Sequence, residues 1–295
     1  MTIEDRELED GDYIKVDYTS RDVPIPHDFL MVDPPDARPI TAKRIDWLET
    51  DLPEFVNHYA ILLDHVLSPS ECDTLLQMAE DSVKDRGRSG TRRWGPALVN
   101  IGGGFETLDK EYRNSDRIVW DNQTIMDRLW MRCIKAKGLQ DELAVVVDPP
   151  SERRRRQGIQ ENSRWVFERL NQRGRFLRYT HGQFFRPHCD GAYSEIEKDT
   201  GKILMTHYTL HLYLNDSFAK MEGASNEPSP TDLVGGATSF LSHDHERLVK
   251  VNPKSGRVLI FQHKGLYHCG DDVAQGVKYT MRTDIMYRLC RGSET

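Results

Sequence analysis

The sequence has few features of an exported, membrane-bound or nucleic-acid-binding protein. No apolar run approaches the roughly 18 residues that a transmembrane helix needs. The opening "MTIEDRELEDGDY" is acidic, whereas a signal peptide begins with basic residues followed by apolar ones. A formal net charge of -7 argues against a nucleic-acid partner. We therefore expect a cytoplasmic protein whose partners include neither a membrane nor nucleic acid.

Cysteine is also scarce. The chain has 5 cysteines, an odd number with no CxxC pair, so neither a disulfide framework nor a structural zinc knuckle is expected. The glycine-rich stretch "NIGGGF" is not followed by the Lys-Ser/Thr of a phosphate-binding loop, which argues against a nucleotide site there. With 29% charged and 38% hydrophobic residues, the composition is that of an ordinary globular protein.

Residues 1–55 are rich in Asp, Pro and Arg, and we interpret them as an N-terminal arm, extended or partly disordered. A domain over 56–295 follows, and it begins with helical support over 66–140. One helix follows the strand in "AILLDHVLSPSECDTLLQMAED" and has Ser68 or Ser70 as its N-cap. The next is "TIMDRLWMRCIKA", in which apolar residues recur every fourth position.

Short β-like segments dominate the chain over about 175–290. Gly, Pro, Asn or Asp separates most of them, which is typical of a β-sandwich or jelly roll. The predicted fold class is therefore α+β, with helices packed against one sheet. The segment 145–165, which contains "RRRR", is the candidate for a lid over the site. The predicted strands are "RFLRYT", "QFFRPH", "HYTLHLYL", "ATSFL", "RLVKV", "RVLIFQ" and "KYTMRTDIMY".

One group of polar residues within this β region has the composition of a metal site. His188 and Asp190, in "RPHCDG", are two residues apart, so a strand points both side chains to one face. A later histidine, His268, follows the strand "RVLIF". An HxD pair alone is common, but two histidines and one carboxylate form a triad that suits Fe(II) and leaves positions open. We predict that these three residues bind iron.

Two basic residues on the last long strand complete the pattern. A 2-oxo acid and dioxygen can fill the open positions of the metal. A dicarboxylic co-substrate also needs a cation for its far carboxylate, a role for Lys or Arg. Lys278 and Arg282 are four residues apart. They therefore share a strand face, at a separation too long for both to hold one carboxylate.

These stretches resemble the Fe(II)/2-oxoglutarate-dependent dioxygenases, in particular the prolyl 4-hydroxylase-like branch, over roughly residues 58–290. "HCGDDVAQGVKY" is similar to the family's histidine-to-basic-residue pattern, "YRNSDR" to its Arg-x-Ser stretch, and "YLND" to another of its strands. Tyr179 stands where the family has a tyrosine before its first ligand, and Thr238 lies in the matching strand "GGATSF". The resemblance implies a double-stranded β-helix, iron bound by the predicted triad, and Lys278 paired with the 5-carboxylate of 2-oxoglutarate.

The chain departs from the family at two positions. Phe185 occupies a site that is commonly Tyr, and Leu212 stands where a second hydroxyl for the co-substrate is expected. We assign Lys278 to the far carboxylate and Arg282 to the near end of the co-substrate or to an anionic group of the substrate. The reverse assignment stays open, as does a simple ion pair between Arg282 and Asp284.

Other histidines compete for roles in the site. His263 is an alternative to His268 as third ligand, but the downstream glycine and lysine are in register with His268. "SHDHE" also resembles an HxD cluster and is predicted to be a surface turn. His207 and His211 either line the cavity or face water.

The resemblance implies an oxidoreductase that uses Fe(II), 2-oxoglutarate and O2, is helped by ascorbate, and forms succinate and CO2. Because Asp190 is present, we expect hydroxylation at an unactivated C–H bond, in contrast to the halogenase relatives. The expected substrate is a small polar metabolite, amino acid or natural product. The alternatives are a protein prolyl or other side chain as substrate and, in another class, a non-catalytic jelly-roll binding module with a vestigial metal site.

Overall fold

Most of the chain folds into two β-sheets that enclose the candidate site. The structure is a computed structural model of the 295-residue chain. It describes residues 8–15, 18–35, 37–84, 94–148, 162–218 and 227–290.

The part of the chain before residue 149 combines short strands with helices. The strands are β1 (Tyr13–Lys15), β2 (Thr41–Arg44), β3 (Ala60–Asp64), β4 (Gly95–Pro96), β5 (Val99–Gly102), β6 (Phe105–Thr107), β7 (Arg113–Asn114), β8 (Asp116–Asp121) and β9 (Val145–Asp148). The α-helices are α1 (Pro69–Asp81), α2 (Gln123–Cys133) and α3 (Leu139–Glu142), and short 3-10 helices cover Trp47–Glu49 and Pro53–Phe55.

Strands account for almost all of the regular structure after residue 162. The predicted β segments in this part are all strands. They are β10 (Ser163–Leu170), β11 (Arg173–Tyr179), β12 (Phe184–His188), β13 (Ser194–Ile196), β14 (Ile203–Tyr213), β15 (Val234–Gly235), β16 (Thr238–Leu241), β17 (Leu248–Val251), β18 (Val258–Gln262), β19 (His268–Gly270), β20 (Val273–Gln275) and β21 (Lys278–Cys290).

The order of the strands identifies the core as a double-stranded β-helix. The large sheet contains neighbouring strands in the order β18-β14-β21-β11, and the smaller sheet contains β17-β16-β19-β12. Along the chain, β11 lies in the large sheet, β12 in the small one, β14 in the large one and β16 in the small one, and the crossing continues to β21. The predicted fold class, α+β with a jelly-roll core, is therefore confirmed.

The helices pack against the outer face of the large sheet. Ser68 is the N-cap of helix α1 and forms a reciprocal capping box with Glu71, and α2 is capped by Asn122. Along β14 the side chains alternate between two environments. Leu210, Leu212 and Leu214 join the core that contains α1 and α2. The intervening residues, Thr209 and His211, face the cavity.

Two parts of the N-terminal half differ from expectation. Residues 95–121, which the sequence analysis grouped with the helical support, form strands β4 to β8. Strands β4 to β7 have only 2 to 4 residues, too few for a clear hydrophobic period. Residues 41–55 are integral to the domain rather than an arm. Strand β2 pairs with β3, and Trp47, Leu52 and Phe55 are buried in one cluster with residues of the jelly roll.

The segment before β2 is held by hydrogen bonds from α2. Arg128 donates to the carbonyls of Pro26 and Phe29, and Arg132 donates to those of Leu30 and Val32. These contacts attach residues 26–32, which have no regular secondary structure, to the helical layer.

The structure describes only the two ends of the proposed lid over 145–165. Residues 145–148 form β9, which pairs with the start of β10, and the stretch 149–161, with "RRRR", lies outside the described residues. In the described parts of the chain, every helix is too short or too polar to cross a membrane.

Burial of Trp47 gives a test of the fold. Trp47 is 2% exposed and its neighbour Leu48 is 62% exposed. Truncating a buried Trp leaves a cavity, so Trp47→Ala should lower the free energy of unfolding by about 3–5 kcal/mol. Leu48→Ala should lower it by less than about 0.5 kcal/mol. Urea titration measures both. Equally small effects would mean that residues 41–55 do not pack into the core.

Candidate metal centre

The seven residues predicted for the site lie around one cavity between the two sheets. The small sheet and the loop after β12 contribute one wall, and β11, β14 and β21 contribute the opposite wall. The predicted residues that line it are Tyr179, His188, Asp190, Thr238, His268, Lys278 and Arg282.

Strand pairing brings the three candidate metal ligands together. His188, at the end of β12, lies directly opposite His268, at the start of β19, and the ring centroids are 4.4 Å apart. Asp190 follows β12 and lies between the rings. One of its oxygens is 3.6 Å from His188 Nε2 and the other is 3.7 Å from His268 Nε2. All the ligand atoms of the group lie within 4.8 Å of one another.

Backbone carbonyls orient both imidazole rings. The Nδ1 of His188 is 2.8 Å from the Arg186 carbonyl oxygen, and the Nδ1 of His268 is 3.1 Å from that of Leu266. A carbonyl only accepts, so each Nδ1 carries the proton and donates it. Each Nε2 then has a free electron pair for a metal ion, and both Nε2 atoms point toward the Asp190 carboxylate. This arrangement, with the second ring nitrogen hydrogen-bonded, is the usual one for metal-binding histidine.

Asp190 is a buried carboxylate with polar contacts on both oxygens. Thr209 Oγ1 donates to one oxygen at 2.5 Å, and Arg282 Nη1 is 2.7 Å from the other. Burial raises the pKa of Asp190, but Arg282 and the two histidines lower it more, so the pKa lies well below its ordinary value. The carboxylate is therefore ionised, as a metal ligand must be. Together with the two Nε2 atoms, it forms a donor set that fits Fe(II).

Arg282 lies at the centre of an ion-pair network. Besides Asp190, it contacts Asp284 at 3.3 Å, and Asp284 is also 3.0 Å from Arg175. The ion pair with Asp284, an alternative left open by the sequence, is therefore present together with a contact to the candidate metal site. Arg282 and Lys278 line the same cavity, as expected for residues on one strand face.

Lys278 is buried in a different environment. It is 2% exposed, and its Nζ lies 5.0 Å from the centroid of the Tyr179 ring. Among the described residues, no carboxylate forms an ion pair with Lys278. Burial lowers the pKa of Lys278 to about 8. The ammonium group of Lys278 therefore lies at the cavity without a carboxylate in direct contact, although Asp271 is near enough to raise its pKa.

The turn between β15 and β16 places a glycine against Lys278. Gly236, from "GGATSF", has a φ of +69°, and a Cβ there would lie 3.1 Å from Lys278 Cδ. The aliphatic part of the lysine thus packs directly on the backbone. Two residues further on, at the start of β16, Thr238 accepts a hydrogen bond of 2.7 Å from the Tyr213 hydroxyl. Thr238 lines the cavity together with Lys278.

The competing histidines lie elsewhere, with one exception. His263 is buried with its Nε2 3.5 Å from Asp284, and His207 lies 3.4 Å from Asp148. His243 and His245 are in an exposed turn, as predicted. His211 lines the cavity, and its Nε2 has no hydrogen-bond partner among the described residues.

Sequence reasoning assigned no role to two polar residues that line the cavity. Thr209, which donates to Asp190, lies on the strand that also carries His211. Arg113 on β7 also lines the cavity. The one signal for Arg113 was the resemblance of "YRNSDR" to a family stretch, which carried no assigned role.

The two family departures have different surroundings. Phe185 stacks on the His188 ring with centroids 3.7 Å apart, so an apolar face replaces a hydroxyl beside the metal ligand. Leu212 lies in the helix-side core rather than in the cavity.

Comparisons with known proteins agree with this geometry. Residues 174–283 match the 2OG-Fe(II) oxygenase superfamily. No curated protein matches the chain.

Several solved structures are similar to this chain at low identity. A Pseudomonas putida prolyl-4-hydroxylase is 15% identical over 79% of this chain and 95% of its own, with a TM-score of 0.45. A viral collagen prolyl hydroxylase from Paramecium Bursaria Chlorella virus-1, in complex with 2-oxoglutarate, is 18% identical over 77% and 95%, with a TM-score of 0.41. HygX from Streptomyces hygroscopicus, with nickel and 2-oxoglutarate bound, is 14% identical over 80% and 84%, with a TM-score of 0.39.

The family match runs from β11 into β21 and includes every residue of the His-Asp-His group. The similarity to the 2OG-Fe(II) oxygenase superfamily therefore lies in the segment that carries the candidate metal ligands, and it indicates an oxygenase that uses Fe(II), 2-oxoglutarate and O2.

Proposed function

We propose that His188, Asp190 and His268 bind Fe(II) and that Lys278 holds the far carboxylate of 2-oxoglutarate. The observation that carries this proposal is the convergence of two Nε2 atoms and one ionised carboxylate in a cavity that also contains an unpaired lysine. Iron bound there supplies oxygen activation coupled to oxidative decarboxylation of 2-oxoglutarate, with succinate, CO2 and a hydroxylated substrate as products.

The protein's own groups prepare this site before any ligand binds. The Arg186 and Leu266 carbonyls fix the tautomer and orientation of the two histidines. Thr209 holds one oxygen of Asp190, so the carboxylate need not reorganise when a metal arrives. Such preorganisation limits the loss of conformational entropy on binding.

At the other end of the cavity, Lys278 provides a positive charge. Its ammonium group is a point charge with three donors, and Tyr179 and Thr238 lie nearby. We infer that the 5-carboxylate displaces little water there, because Lys278 is 2% exposed. The co-substrate then extends from Lys278 toward the His-Asp-His group, and Tyr179 and Thr238 border its path.

Arg282 has a separate role in this proposal. Its guanidinium group is held by Asp190 and Asp284 beside the metal ligands, away from the partnerless ammonium of Lys278. We propose that it acts at the near end of the co-substrate or on an anionic group of the substrate.

For the reaction, we propose hydroxylation of an unactivated C–H bond in a small polar metabolite, amino acid or natural product. The site lies between two sheets, and its polar groups surround the metal ligands. Groups of this kind orient a small polar molecule while the sheets limit access of water.

A protein side chain is a second candidate substrate. A broader groove, lined by Arg186, Leu248 and Lys250, borders the cavity and shares Phe185 and Cys269 with it. An extended peptide lying in this groove can place one side chain in the cavity. Comparing turnover of free amino acids and of the same residues within peptides distinguishes the two candidates.

The third metal ligand can be tested directly. Anaerobic titration of the protein with Fe(II) and 2-oxoglutarate should give the weak visible charge-transfer band of the chelate. His268→Ala should abolish the band, because two remaining ligands hold Fe(II) poorly. His263→Ala is the matched control and should retain it, since His263 faces Asp284. Loss of the band only in the His263 variant would identify His263, rather than His268, as the third ligand.

The two basic residues should respond differently to truncation. A hydrogen bond to a buried charge contributes about 1.5–3 kcal/mol, so Lys278→Ala should raise the 2-oxoglutarate requirement by roughly tenfold or more. Arg282→Ala should impair substrate turnover while substrate-free succinate formation is comparatively preserved. Succinate measured against 2-oxoglutarate concentration tests both variants. A large loss of 2-oxoglutarate affinity in the Arg282 variant would instead assign the far carboxylate to Arg282.

The lowered pKa of Lys278 predicts a pH dependence. The group is protonated below its pKa of about 8, so its attraction for a carboxylate is present at pH 7 and declines as the pH rises through 8. The affinity for 2-oxoglutarate should fall by up to about tenfold between pH 7 and pH 9. Lys278→Arg stays charged over this range and should show a smaller fall. If the unmodified protein and Lys278→Arg had the same pH profile, Lys278 would not be the group whose titration weakens 2-oxoglutarate binding.

A further inference from the structure

Arg113 is a third cation on the cavity wall, and neither the metal nor 2-oxoglutarate accounts for it. It belongs to β7, where it lies opposite Phe185 of β12. Its side chain lines the same cavity as the His-Asp-His group, and the residue is 8% exposed. The guanidinium carbon is 4.5 Å from the centroid of the Phe185 ring, which also stacks on the His188 ring and contacts Tyr112 edge-on.

The contacts of Arg113 are too few for a buried guanidinium group. Its Nη1 makes a long hydrogen bond of 3.4 Å to the Leu98 carbonyl, and the guanidinium group also forms a hydrogen bond with the Tyr179 hydroxyl. Its Nε has no hydrogen-bond partner among the described residues. In the same described parts of the chain, no carboxylate forms an ion pair with it.

Other arginines of the domain show what Arg113 lacks. Arg117, four residues away, pairs with Glu106. Arg132 contacts Glu71 at 2.8 Å, and Arg175 contacts Asp284 at 3.0 Å. Each of these has a carboxylate partner, whereas Arg113 faces a cavity. An unpaired buried charge is costly, which favours an anion from outside the chain.

In the proposed function, 2-oxoglutarate is not the anion that pairs with Arg113. Arg113, Lys278 and Arg282 line it together with one carboxylate, Asp190, and Asp190 is already paired with Arg282. In the proposed function, Lys278 takes one carboxylate of 2-oxoglutarate and the metal takes the other. Arg113 then remains without an anion when both are bound.

We propose that Arg113 binds an anionic group of the primary substrate, a carboxylate or a phosphate, and thereby selects small acids as substrates. This inference rests on the proposed function. Arg113 presents a planar set of donors that matches either anion. The Phe185 ring separates it from His188, so the anion is held at the side of the metal ligands while the rest of the substrate extends toward them.

The test uses the protein loaded anaerobically with Fe(II) and saturating 2-oxoglutarate, so that Lys278 is occupied. Isothermal titrations with acetate and with inorganic phosphate measure anion binding, and acetamide is the uncharged probe. We expect one of the anions to bind and acetamide not to bind. Arg113→Gln should weaken the anion by roughly tenfold or more, Arg113→Lys should weaken it less, and the affinity for 2-oxoglutarate should change little in both variants.

Arg186→Gln is the matched control. Arg186 lies near the mouth of the cavity with its side chain 48% exposed, so it contributes general attraction for anions but no buried contact. It should leave the affinity of the probes nearly unchanged. Stronger binding of acetate than of phosphate, or the reverse, identifies which anion the site prefers.

Three results would overturn the proposal. The first is that the loaded protein binds neither acetate nor phosphate. The second is that Arg113→Gln binds the anion as tightly as the unmodified protein does. The third is that Arg113→Gln lowers the affinity for 2-oxoglutarate instead of the affinity for the anion. Absence of the charge-transfer band would count against the proposed function alone. Titration of the metal-free protein would then still decide on Arg113, by comparing Arg113→Gln with Lys278→Met.

Discussion

The site depends on one buried carboxylate, that of Asp190. A charge in this position is stable only with polar partners, and the fold supplies them from two strands of the opposite sheet, Thr209 on β14 and Arg282 on β21. These strands are neighbours in the large sheet, where His211 pairs with Arg282 and Thr209 with Asp284. The register of β14 against β21 therefore determines whether Asp190 is compensated.

That register is maintained from the other face of the large sheet. Leu210 and Leu212 on β14, and Met281 and Ile285 on β21, pack with the helices in one core. A slip of one residue would expose these side chains to the cavity and bury the polar ones among the helices. The helical layer thus contributes to the site without touching it, because it makes the alternative register unfavourable.

Periodicity explains what was predictable. His188 and Asp190, like Lys278 and Arg282, were placed on common faces by a spacing of two or four residues, and the structure brings all four to one cavity. The contact between Asp190 and Arg282 was not predictable, because it depends on how the two sheets face each other. Arg113 was missed because β7 has two residues, too few to show any period.

The same limit applies to the core. Trp47, Leu52 and Phe55 lie in a stretch that also contains Asp, Glu and Pro. Local composition there predicts an extended or partly disordered arm, whereas the backbone forms two short 3-10 helices. The burial arises from contacts with residues such as Phe240 and Phe261, far along the chain. No local pattern encodes such contacts, so composition leaves the place of a segment in the core undetermined.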